Sequence, residues 1–320
     1  TRSRLTKMIN LPKHIGLRYV VAFSGGADSA LLAFLLKQGG YDFRLVHVMH
    51  PDSKASNGAE KIRDFCIEWA KYYGLEITVL TATVDERMVK SQGIEAAERV
   101  GRYDALYGNL LLNETLLTGH HLDDSIETFF FRLCRGSSVK GLSGISSNPK
   151  NSRLIRPLIH LSKEEILQQV EALSILYGHD STNDSTELSR GFIRNKVIPL
   201  LKEHFTSWKF YASLERAMQN MSECSALIED LYHIDNQSCG SGETGIDRVN
   251  LRKLSDYRQR NFLYHHFSVK FGKYLTRNAI EEVQKRINGP KRDDKFEVSG
   301  MMVTLCNETA QVRLAKDVNN

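Results

Sequence analysis

The segment VVAFSGGADSALLAFLL, residues 20–36, joins a short apolar strand to an apolar helix through a Ser-Gly-Gly turn. Gly25 and Gly26 can adopt backbone conformations that residues with a Cβ avoid, so several N–H groups can point into one concavity. The helix that follows adds its unpaired N-terminal N–H groups and the positive end of its dipole. The turn therefore predicts a phosphate site, to which Ser24 and Ser29 add hydroxyl donors.

Asp28 is the unexpected residue of this turn, because a carboxylate repels phosphate. It is explained if Mg²⁺ lies between the two, since Mg²⁺ is commonly held by one or two carboxylates and by substrate phosphates. The alternative is an ordinary glycine-rich turn with Asp28 and Ser29 in the first turn of the helix. Two other phosphate motifs are excluded, because the Walker lysine is absent and Ser29 and Ala30 stand where the dinucleotide fingerprint has its third glycine.

Composition favours a globular enzyme with room for two domains. The chain has 320 residues, of which 41% are hydrophobic and 25% charged, as is ordinary for soluble globular proteins. The apolar runs are too short to span a bilayer and no signal peptide opens the chain. The five cysteines are scattered with no Cys-x-x-Cys pair, which predicts reduced thiols and a cytoplasmic location. The net charge of +5 permits a nucleic-acid partner.

The first half of the chain alternates strands with helices. Short apolar runs predict strands at residues 19–23, 43–47, 76–80 and 115–118. In NGAEKIRDFCIEWAKYYG, residues 57–74, apolar side chains recur at helical spacing, and Gly74 stands where a left-handed cap belongs. This alternation predicts an α/β fold with a doubly wound, mostly parallel sheet. Ligands of such sheets bind beyond the carboxyl ends of the strands, where the turn at residues 24–29 falls.

The second half is predicted to be helical. From about Leu161 onward helical patterns follow one another, and residues 210–235 form a long amphipathic stripe. The glycine-rich stretch NQSCGSGETG, residues 236–245, is typical of a flexible connection. We predict a first domain at residues 1–205, with a helical extension from about residue 160, and a smaller, mainly helical domain at residues 206–320.

A second motif lies in LLTGHHLDDSIETFFFRLCRG, residues 116–136. The strand ends at Gly119 and a helix begins near Asp123, so Asp124 and Glu127, three residues apart, share one helical face. His120 follows the strand end at the same edge of the sheet as the Ser-Gly-Gly turn. These carboxylates could hold Mg²⁺ or recognise an amine. The alternative is an acidic first turn that complements the helix dipole.

Two further segments are basic. In GIEAAERVGRYDAL, residues 93–106, Arg99 and Arg102 are three apart on a helix and suit phosphate, although a solvated helix face has the same pattern. In HDSTNDSTELSRGFIRNKVIPLL, residues 179–201, a polar stretch leads to Arg190, Arg194 and Lys196. By itself this last segment indicates only a loop and a helix cap.

Taken in this order and at this spacing, the four segments resemble the tRNA(Ile)-lysidine synthetases of the N-type ATP pyrophosphatase, or PP-loop, superfamily. The resemblance covers roughly residues 18–205. It is carried by Ser24-Gly25-Gly26-x-Asp28-Ser29, Glu95-Ala96, Arg99, Arg102, Tyr103, His121-Leu122-Asp123-Asp124-x-x-Glu127-Thr128, Arg135-Gly136, Gly141-Leu142, Arg156-Pro157-Leu158, Asp180, Asn183, Arg190, Arg194 and Pro199.

The resemblance implies a reaction in two steps. ATP activates the 2-oxygen of the wobble cytidine of a tRNA(Ile) with the anticodon CAU as an adenylate, and pyrophosphate leaves. The ε-amine of L-lysine then displaces AMP. ATP and Mg²⁺ are thus the expected cofactors and the tRNA and L-lysine the expected partners, with no membrane partner, and a homodimer is compatible with the resemblance.

The resemblance also implies roles for individual residues. The ATP site would contain Ser24, Gly25, Gly26, Ala27, Asp28 and Ser29, and Mg²⁺ would bind Asp28 and Asp124. The catalytic residues would be Asp28, Arg99, Arg102, His120, Asp124 and Glu127. The tRNA-binding residues would be Arg190, Arg194 and Lys196, and the basic carboxyl-terminal part, outside the resemblance, adds Arg258 and Arg260 as predicted tRNA-binding residues.

The sequence departs from the family pattern at a few positions. Met49-His50-Pro51-Asp52-Ser53 stands where the family usually has Asn-His-Gly-Leu-Arg, and Glu98 and Gly191 are also atypical. These differences bear on which tRNA is selected.

The carboxyl-terminal part is locally basic. Residues 248–295 contain 13 Lys and Arg against 5 Asp and Glu, interleaved with Tyr257, Tyr264, Phe267 and Tyr274. This pattern favours electrostatic contact with a folded RNA, although a solvated surface would have the same composition.

Three other classes of protein remain as alternatives. An enzyme of tRNA thiolation would need paired cysteines or a sulfur carrier, and a small-molecule amide synthetase such as the family that makes NAD would not need the basic second domain. A non-catalytic tRNA-binding protein would not need Asp28, Asp124 and Glu127. These residues therefore favour an enzyme.

Overall fold

The computed structural model describes residues 9, 11, 17–49, 56–149, 153–178, 189–205, 207–290 and 294–315. The turn at His50 and Pro51, together with Asp180 and Asn183, lies outside them. The chain divides into two compact units, Thr1–Gln219 (unit 1) and Asn220–Asn320 (unit 2). The division falls inside one long helix, Ser207–Cys239, and the domain boundary at residue 205 stays a prediction.

Unit 1 is built on a five-stranded parallel sheet in the order β3-β2-β1-β4-β5. The strands are β1 (Arg18–Ala22), β2 (Phe43–Met49), β3 (Ile77–Thr81), β4 (Glu114–Leu117) and β5 (Leu154–Ile155). The predicted α/β fold is thereby confirmed, with all four predicted strands present within one or two residues. β5 was not predicted, because two residues give no periodicity.

Helices cover both faces of this sheet in sequence. They are α1 (Ala27–Gly39), α2 (Ser56–Tyr72), α3 (Glu86–Gln92), α4 (Ile94–Gly108), α5 (Leu122–Cys134), α6 (Val139–Leu142) and α7 (Lys163–Ala172). α1 is apolar on most of its circumference because it is enclosed, and Leu31, Leu32 and Leu35 have no exposed surface. Gly74 has φ +61°, so the predicted left-handed cap after α2 is confirmed.

A helical segment with one irregular turn follows in unit 1. It consists of α8 (Ser189–Phe192), a π-helical turn at Ile193–Val197 and α9 (Ile198–His204). The long helix α10 (Ser207–Cys239) comes next. Its buried Phe210 and Met218 pack with Leu122 and Ile126 of α5 in a small apolar cluster, so this segment is tied to the end of strand β4.

Unit 2 combines helices with a sheet that was not predicted. Its helices are the last part of α10, α11 (Arg248–Lys253), α12 (Asp256–Phe271) and α13 (Arg277–Asn288). Its sheet has the order β6-β7-β10-β9-β8 and is antiparallel. The strands are β6 (Gly240–Ser241), β7 (Gly245–Asp247), β8 (Lys295–Val298), β9 (Met301–Leu305) and β10 (Thr309–Leu314). Residues 236–245, predicted as a flexible connection, instead form the end of α10 and a tight hairpin.

One buried arginine joins the parts of unit 2. Arg248 is only 1% exposed, and its guanidinium donates hydrogen bonds to the backbone oxygens of Ile287 (2.9 Å), Gly289 (2.7 Å) and Cys306. The end of α13 and the turn after β9 are therefore held by one side chain whose buried donors are satisfied by carbonyl groups. Among the described helices of either unit, none is both long and apolar enough to cross a membrane.

Candidate active site

Residues 24–29, here called the Ser-Gly-Gly loop, connect β1 to α1. Gly25 has φ +82°, a conformation that favours glycine, and Gly26 is the residue before the first turn of α1. The Ser29 hydroxyl donates to the Gly26 carbonyl at 3.0 Å and lies 3.2 Å from the Ser24 hydroxyl. The loop thus has the backbone shape and the hydroxyl groups that the sequence predicted for a phosphate site.

Residues of neighbouring segments contact the Ser-Gly-Gly loop and hold it in place. His47 Nδ1 lies 2.9 Å from the Phe23 carbonyl oxygen, and since that oxygen can only accept, the Nδ1 atom carries the hydrogen. The Gly178 N–H donates to the Gly25 carbonyl at 2.8 Å. A Cβ on Gly25 would lie 3.0 Å from Cys66 Sγ. Glycine is therefore required here by its φ and by lack of space.

The end of strand β4 meets the loop at Gly119. A Cβ at this position would lie 3.1 Å from both the Asp28 carbonyl carbon and the Ser29 nitrogen, closer than most real contacts. Because β1 and β4 are adjacent parallel strands, their carboxyl ends emerge side by side. The glycine lets the turn at residues 120–124, here called the acidic turn, lie directly against the Ser-Gly-Gly loop.

The place where the acidic turn meets the Ser-Gly-Gly loop is here called the junction. His121 lies there among three carboxylates. It is 7% exposed, and its Nε2 is 3.8 Å from Asp28 Oδ1 and 3.5 Å from Asp124 Oδ2. Its Nδ1 is 3.9 Å from Asp123 Oδ2. The sequence predicts His120 as a site residue and indicates His121 only as part of the family motif, although the His-x-x-Asp spacing that begins the helix is a signal for His121.

His120 has a different environment. Its Nδ1 lies 2.8 Å from Thr118 Oγ1, and burial, helped by Arg156 and Arg99 and opposed by Asp124, lowers the pKa of His120 to about 4. The ring is therefore neutral near neutral pH.

Asp124 is ionised in its buried position. Burial acts to raise its pKa, but His121 and His120 together with the His121 backbone N–H, which donates at 2.9 Å, outweigh burial and lower the pKa below its usual range. The same carboxylate caps α5 through that backbone contact. The capping role that the sequence offered as an alternative is therefore observed, and the catalytic role of Asp124 stays a prediction.

Glu127 and Arg194 form a bidentate ion pair. Arg194 Nε and Nη2 donate to the two Glu127 oxygens at 2.5 and 2.8 Å, with Arg194 supplied by the π-helical turn. Burial raises the pKa of Glu127, and Arg194 opposes that rise. The structure therefore brings a predicted catalytic residue and a predicted tRNA-binding residue into contact with each other.

Lys163, which no sequence motif indicates, contacts the Ser-Gly-Gly loop at Asp28. Its Nζ donates to Asp28 Oδ1 at 2.6 Å. The two residues are 135 positions apart, so no local pattern could have indicated the contact.

The predicted arginines of α4 lie beside this centre. The Arg99 guanidinium stacks on the Tyr103 ring, 5.2 Å from its centroid, and its charge is among those that lower the pKa of His120. Arg102 is close enough to His47 to contribute to the lowering of its pKa, of which burial is the main cause.

Arg190 connects α8 to α4. Its Nε lies 3.5 Å from Glu95 Oε1, and its guanidinium lies over the Phe131 ring at 5.1 Å. Lys196 is exposed.

The two predicted tRNA-binding arginines of unit 2 differ from each other. Arg258 pairs with Asp235, which is 1% exposed, so its first role is to neutralise a buried carboxylate. Arg260 lies over the ring of Tyr257, 5.1 Å from its centroid, and Tyr257 is 80% exposed. Phe267, grouped in the sequence with aromatics suited to RNA contact, is fully buried and belongs to the core.

The carboxylates of the junction fit the predicted Mg²⁺. In the described part of the chain, no group of three or more His, Cys, Asp or Glu side chains is arranged to hold a metal ion. Mg²⁺ bound beside a phosphate needs only one or two carboxylates. Asp28 and Asp124 approach the same His121 nitrogen at the edge of the Ser-Gly-Gly loop, so the two acids expected to hold the ion lie on one side of the predicted phosphate site.

Comparison with known families agrees with this geometry. The model of the PP-loop domain matches residues 2–201. The chain belongs to the PP-loop family.

Two curated relatives show which PP-loop proteins this chain is similar to in sequence. It is 33% identical over 235 residues to the tRNA(Ile)-lysidine synthase of Vibrio vulnificus (strain YJ016), an alignment of 72% of this chain and 52% of the relative. It is 34% identical over 216 residues to the tRNA(Ile)-lysidine synthase of Actinobacillus pleuropneumoniae serotype 3 (strain JL03), covering 67% and 49%. The chain thus spans about half the length of these relatives.

A solved structure shares the PP-loop fold. The U34-tRNA thiolase NcsA from Methanococcus maripaludis superposes with a TM-score of 0.51 at 20% sequence identity, over 69% of this chain and 78% of the thiolase. At that identity the similarity concerns the fold alone.

Proposed function

We propose that this protein joins L-lysine to the wobble cytidine of tRNA(Ile) with the anticodon CAU, using ATP. The observation that carries the proposal is the junction of the Ser-Gly-Gly loop with the acidic turn, where Gly119 packs against Asp28. A loop suited to phosphate and the ionised carboxylate of Asp124, which suits an amine, are adjacent there. The relatives named tRNA(Ile)-lysidine synthase support the same reaction.

In the first step the cytosine 2-oxygen bonds to the α-phosphorus of ATP and the bond from that phosphorus to the pyrophosphate oxygen breaks. The Ser-Gly-Gly loop binds the departing pyrophosphate through its backbone N–H groups and through Ser24 and Ser29. Asp28 and Asp124 would hold Mg²⁺, which neutralises charge on the phosphates. Arg99 and Arg102 add positive charge from α4.

In the second step the lysine ε-amine bonds to carbon 2 of the base, the carbon–oxygen bond breaks, and AMP leaves with that oxygen. The amine arrives as an ammonium ion and loses a proton before it attacks. We assign its attraction to Asp124, because the charge of Glu127 is already balanced by Arg194. His120, neutral near neutral pH, adds no competing positive charge.

For the tRNA we assign phosphate contacts to Arg190 and Lys196 beside the junction and to Arg260 in unit 2. Arg260 is supported by its exposed neighbour Tyr257, since bases stack on aromatic rings. Arg194 and Arg258 act on the tRNA indirectly in this proposal, by fixing Glu127 and Asp235.

The test is a direct search for the product. The protein is incubated with a tRNA(Ile) transcript bearing CAU, Mg²⁺, ATP and lysine, and the digested RNA is analysed for lysidine by mass spectrometry. We expect lysidine from the wild type and a loss of at least about 100-fold in Asp28→Asn and in Asp124→Asn. Asp104→Asn, which changes an exposed acid of α4, should retain activity.

Other outcomes point to the alternatives. Pyrophosphate release without lysidine would keep the adenylation chemistry and reject lysine as the nucleophile. A thiolated base, formed in a second incubation in which sulfide replaces lysine, would place the protein with the thiolation enzymes. Binding of tRNA with no turnover would favour a binding protein.

A further inference from the structure

The contact between Lys163 and Asp28 occupies the carboxylate that the proposed function gives to Mg²⁺. The ammonium group lies 2.6 Å from Asp28 Oδ1, and both side chains are partly exposed at the mouth of the junction. Lys163 brings a positive charge to the place where the proposed reaction requires one.

This placement is fixed by the backbone rather than by the lysine side chain. The Lys163 N–H donates to Asp123 Oδ2 at 2.7 Å, and the Leu122 N–H donates to the Leu161 carbonyl at 2.8 Å. Ser162 and Glu165 form a capping box at the start of α7, in which the Ser162 N–H donates to the Glu165 carboxylate at 2.7 Å. Two hydrogen bonds, one at Leu161 and one at Lys163, thus tie the start of α7 to the acidic turn that carries Asp124.

A divalent cation and the lysine compete for the same oxygen. Mg²⁺ binds carboxylate oxygen at about 2.0 Å and repels an ammonium group held next to it. The lysine side chain is flexible and has three donors, whereas its backbone is held, so the ammonium can leave Asp28 without any movement of α7. The nearest predicted anion is the phosphate chain on the Ser-Gly-Gly loop.

We propose that Lys163 is a phosphate ligand of this site which is held by Asp28 when no nucleotide is bound and passes to the pyrophosphate group when Mg²⁺ takes Asp28. The inference rests on the proposed function only in that the loop binds a pyrophosphate group. It requires two effects of opposite sign: loss of the lysine weakens pyrophosphate binding and strengthens binding of the metal alone.

The experiment measures two affinities of the full chain, with neither tRNA nor lysine present. Binding of magnesium pyrophosphate is measured by calorimetry, and binding of Mn²⁺ alone, as a paramagnetic substitute for Mg²⁺, by electron paramagnetic resonance. For Lys163→Met we expect pyrophosphate binding about tenfold weaker or more and Mn²⁺ binding about threefold tighter. Lys163→Arg should keep pyrophosphate binding within about threefold of the wild type, because the charge and the donors remain.

Two controls distinguish the proposed transfer of Lys163 from Asp28 to pyrophosphate from a general disturbance of the site. Lys90→Met removes an exposed lysine of α3 and should change neither affinity. In an Asp28→Asn background, Lys163→Met should no longer strengthen Mn²⁺ binding, because the contact between the two side chains is already broken.

The inference is overturned if Lys163→Met leaves pyrophosphate affinity within about twofold of wild type, if both affinities fall together, or if Mn²⁺ affinity does not rise. Failure of the proposed function has a different signature. A wild type that forms no lysidine, yet shows the two opposite effects, would reject the reaction and leave the role of Lys163 in place.

Discussion

Single side chains in the junction serve more than one purpose. Asp124 caps α5 by accepting the His121 N–H and also lies 3.5 Å from the His121 ring. Asp123 accepts from the Tyr211 hydroxyl at 2.6 Å and from the Lys163 N–H at 2.7 Å. Acids in a first helical turn therefore hold neighbouring elements in place, and the proposed chemistry would use a carboxylate that also stabilises the fold.

His120 gives a prediction for stability against pH. Its pKa in the folded protein is about 4, below the ordinary 6.5, so on acidification the unfolded chain takes up the proton first. This contribution to stability is complete above pH 6.5 and is lost as the pH falls toward 4. We expect the free energy of unfolding by urea to drop more steeply over this range in the wild type than in His120→Gln, by up to about 3 kcal/mol.

His160→Gln is the matched control, because His160 is exposed. It should follow the wild-type curve. Identical curves for the wild type and His120→Gln would contradict the low pKa assigned to His120.

Between elements, α4 lies very close to the chain after β3 at Gly101. A Cβ on Gly101 would lie 2.1 Å from the Thr83 carbonyl oxygen, so the helix packs directly against backbone. Arg99 and Arg102 lie within two residues of this contact. The close packing of Gly101 thus helps to set the position of both arginines.

Gly101→Ala should displace α4 and destabilise unit 1 by about 3 kcal/mol, as overpacking against backbone does. Gly108→Ala on the same helix has open space around its Cβ and should be neutral or stabilising by up to about 1 kcal/mol. The free energy of urea unfolding of both variants, compared with the wild type, tests these two predictions. Equal stabilities would show that α4 tolerates a side chain at Gly101.

At the scale of the whole molecule, each unit has its own apolar core. One surrounds the parallel sheet, and the other lies between the helices of unit 2 and its antiparallel sheet. Both tryptophans, Trp69 and Trp208, lie in unit 1. Fluorescence therefore reports on one unit, and circular dichroism reports on both.

Arg248→Met should destabilise unit 2 selectively. It removes a buried guanidinium that donates to the carbonyls of Ile287, Gly289 and Cys306 and leaves Arg252 as the remaining side-chain donor to the first two, at a cost of about 1–3 kcal/mol. During urea unfolding we expect part of the circular dichroism signal to be lost at lower urea while the tryptophan midpoint stays unchanged. A parallel shift of both signals would mean that the units unfold together.

The basic charge of unit 2 gives a prediction for tRNA binding. Arg260→Ala should weaken binding several-fold at low salt and reduce the slope of log affinity against log salt by about 1. Arg258→Ala should instead lower stability, because it leaves Asp235 buried and unpaired. Filter binding over a series of KCl concentrations tests this, and an unchanged slope in Arg260→Ala would count against the role of Arg260.

The sequence predicted the parts of this molecule whose signals are local. The four longer strands of the parallel sheet are rich in apolar and β-branched residues, and the Ser-Gly-Gly loop has a distinctive composition. The hairpin at residues 240–247 was missed because glycine carries no side-chain pattern. The contacts of Lys163 with Asp28 and of Arg194 with Glu127 join residues 135 and 67 positions apart, and only the fold brings them together.

The π-helical turn that carries Arg194 has a consequence for how this segment tolerates insertions and deletions. A π turn holds one residue more than an α turn, so deleting Asn195 would let α8 and α9 run on as one regular helix. The π turn absorbs its extra residue within that one turn, so Arg194 and Ile198 should both still face α5 after the deletion. Successive residues of a regular helix are about 100° apart, so the same one-residue deletion within α5 would instead rotate one end of that helix away from its contacts.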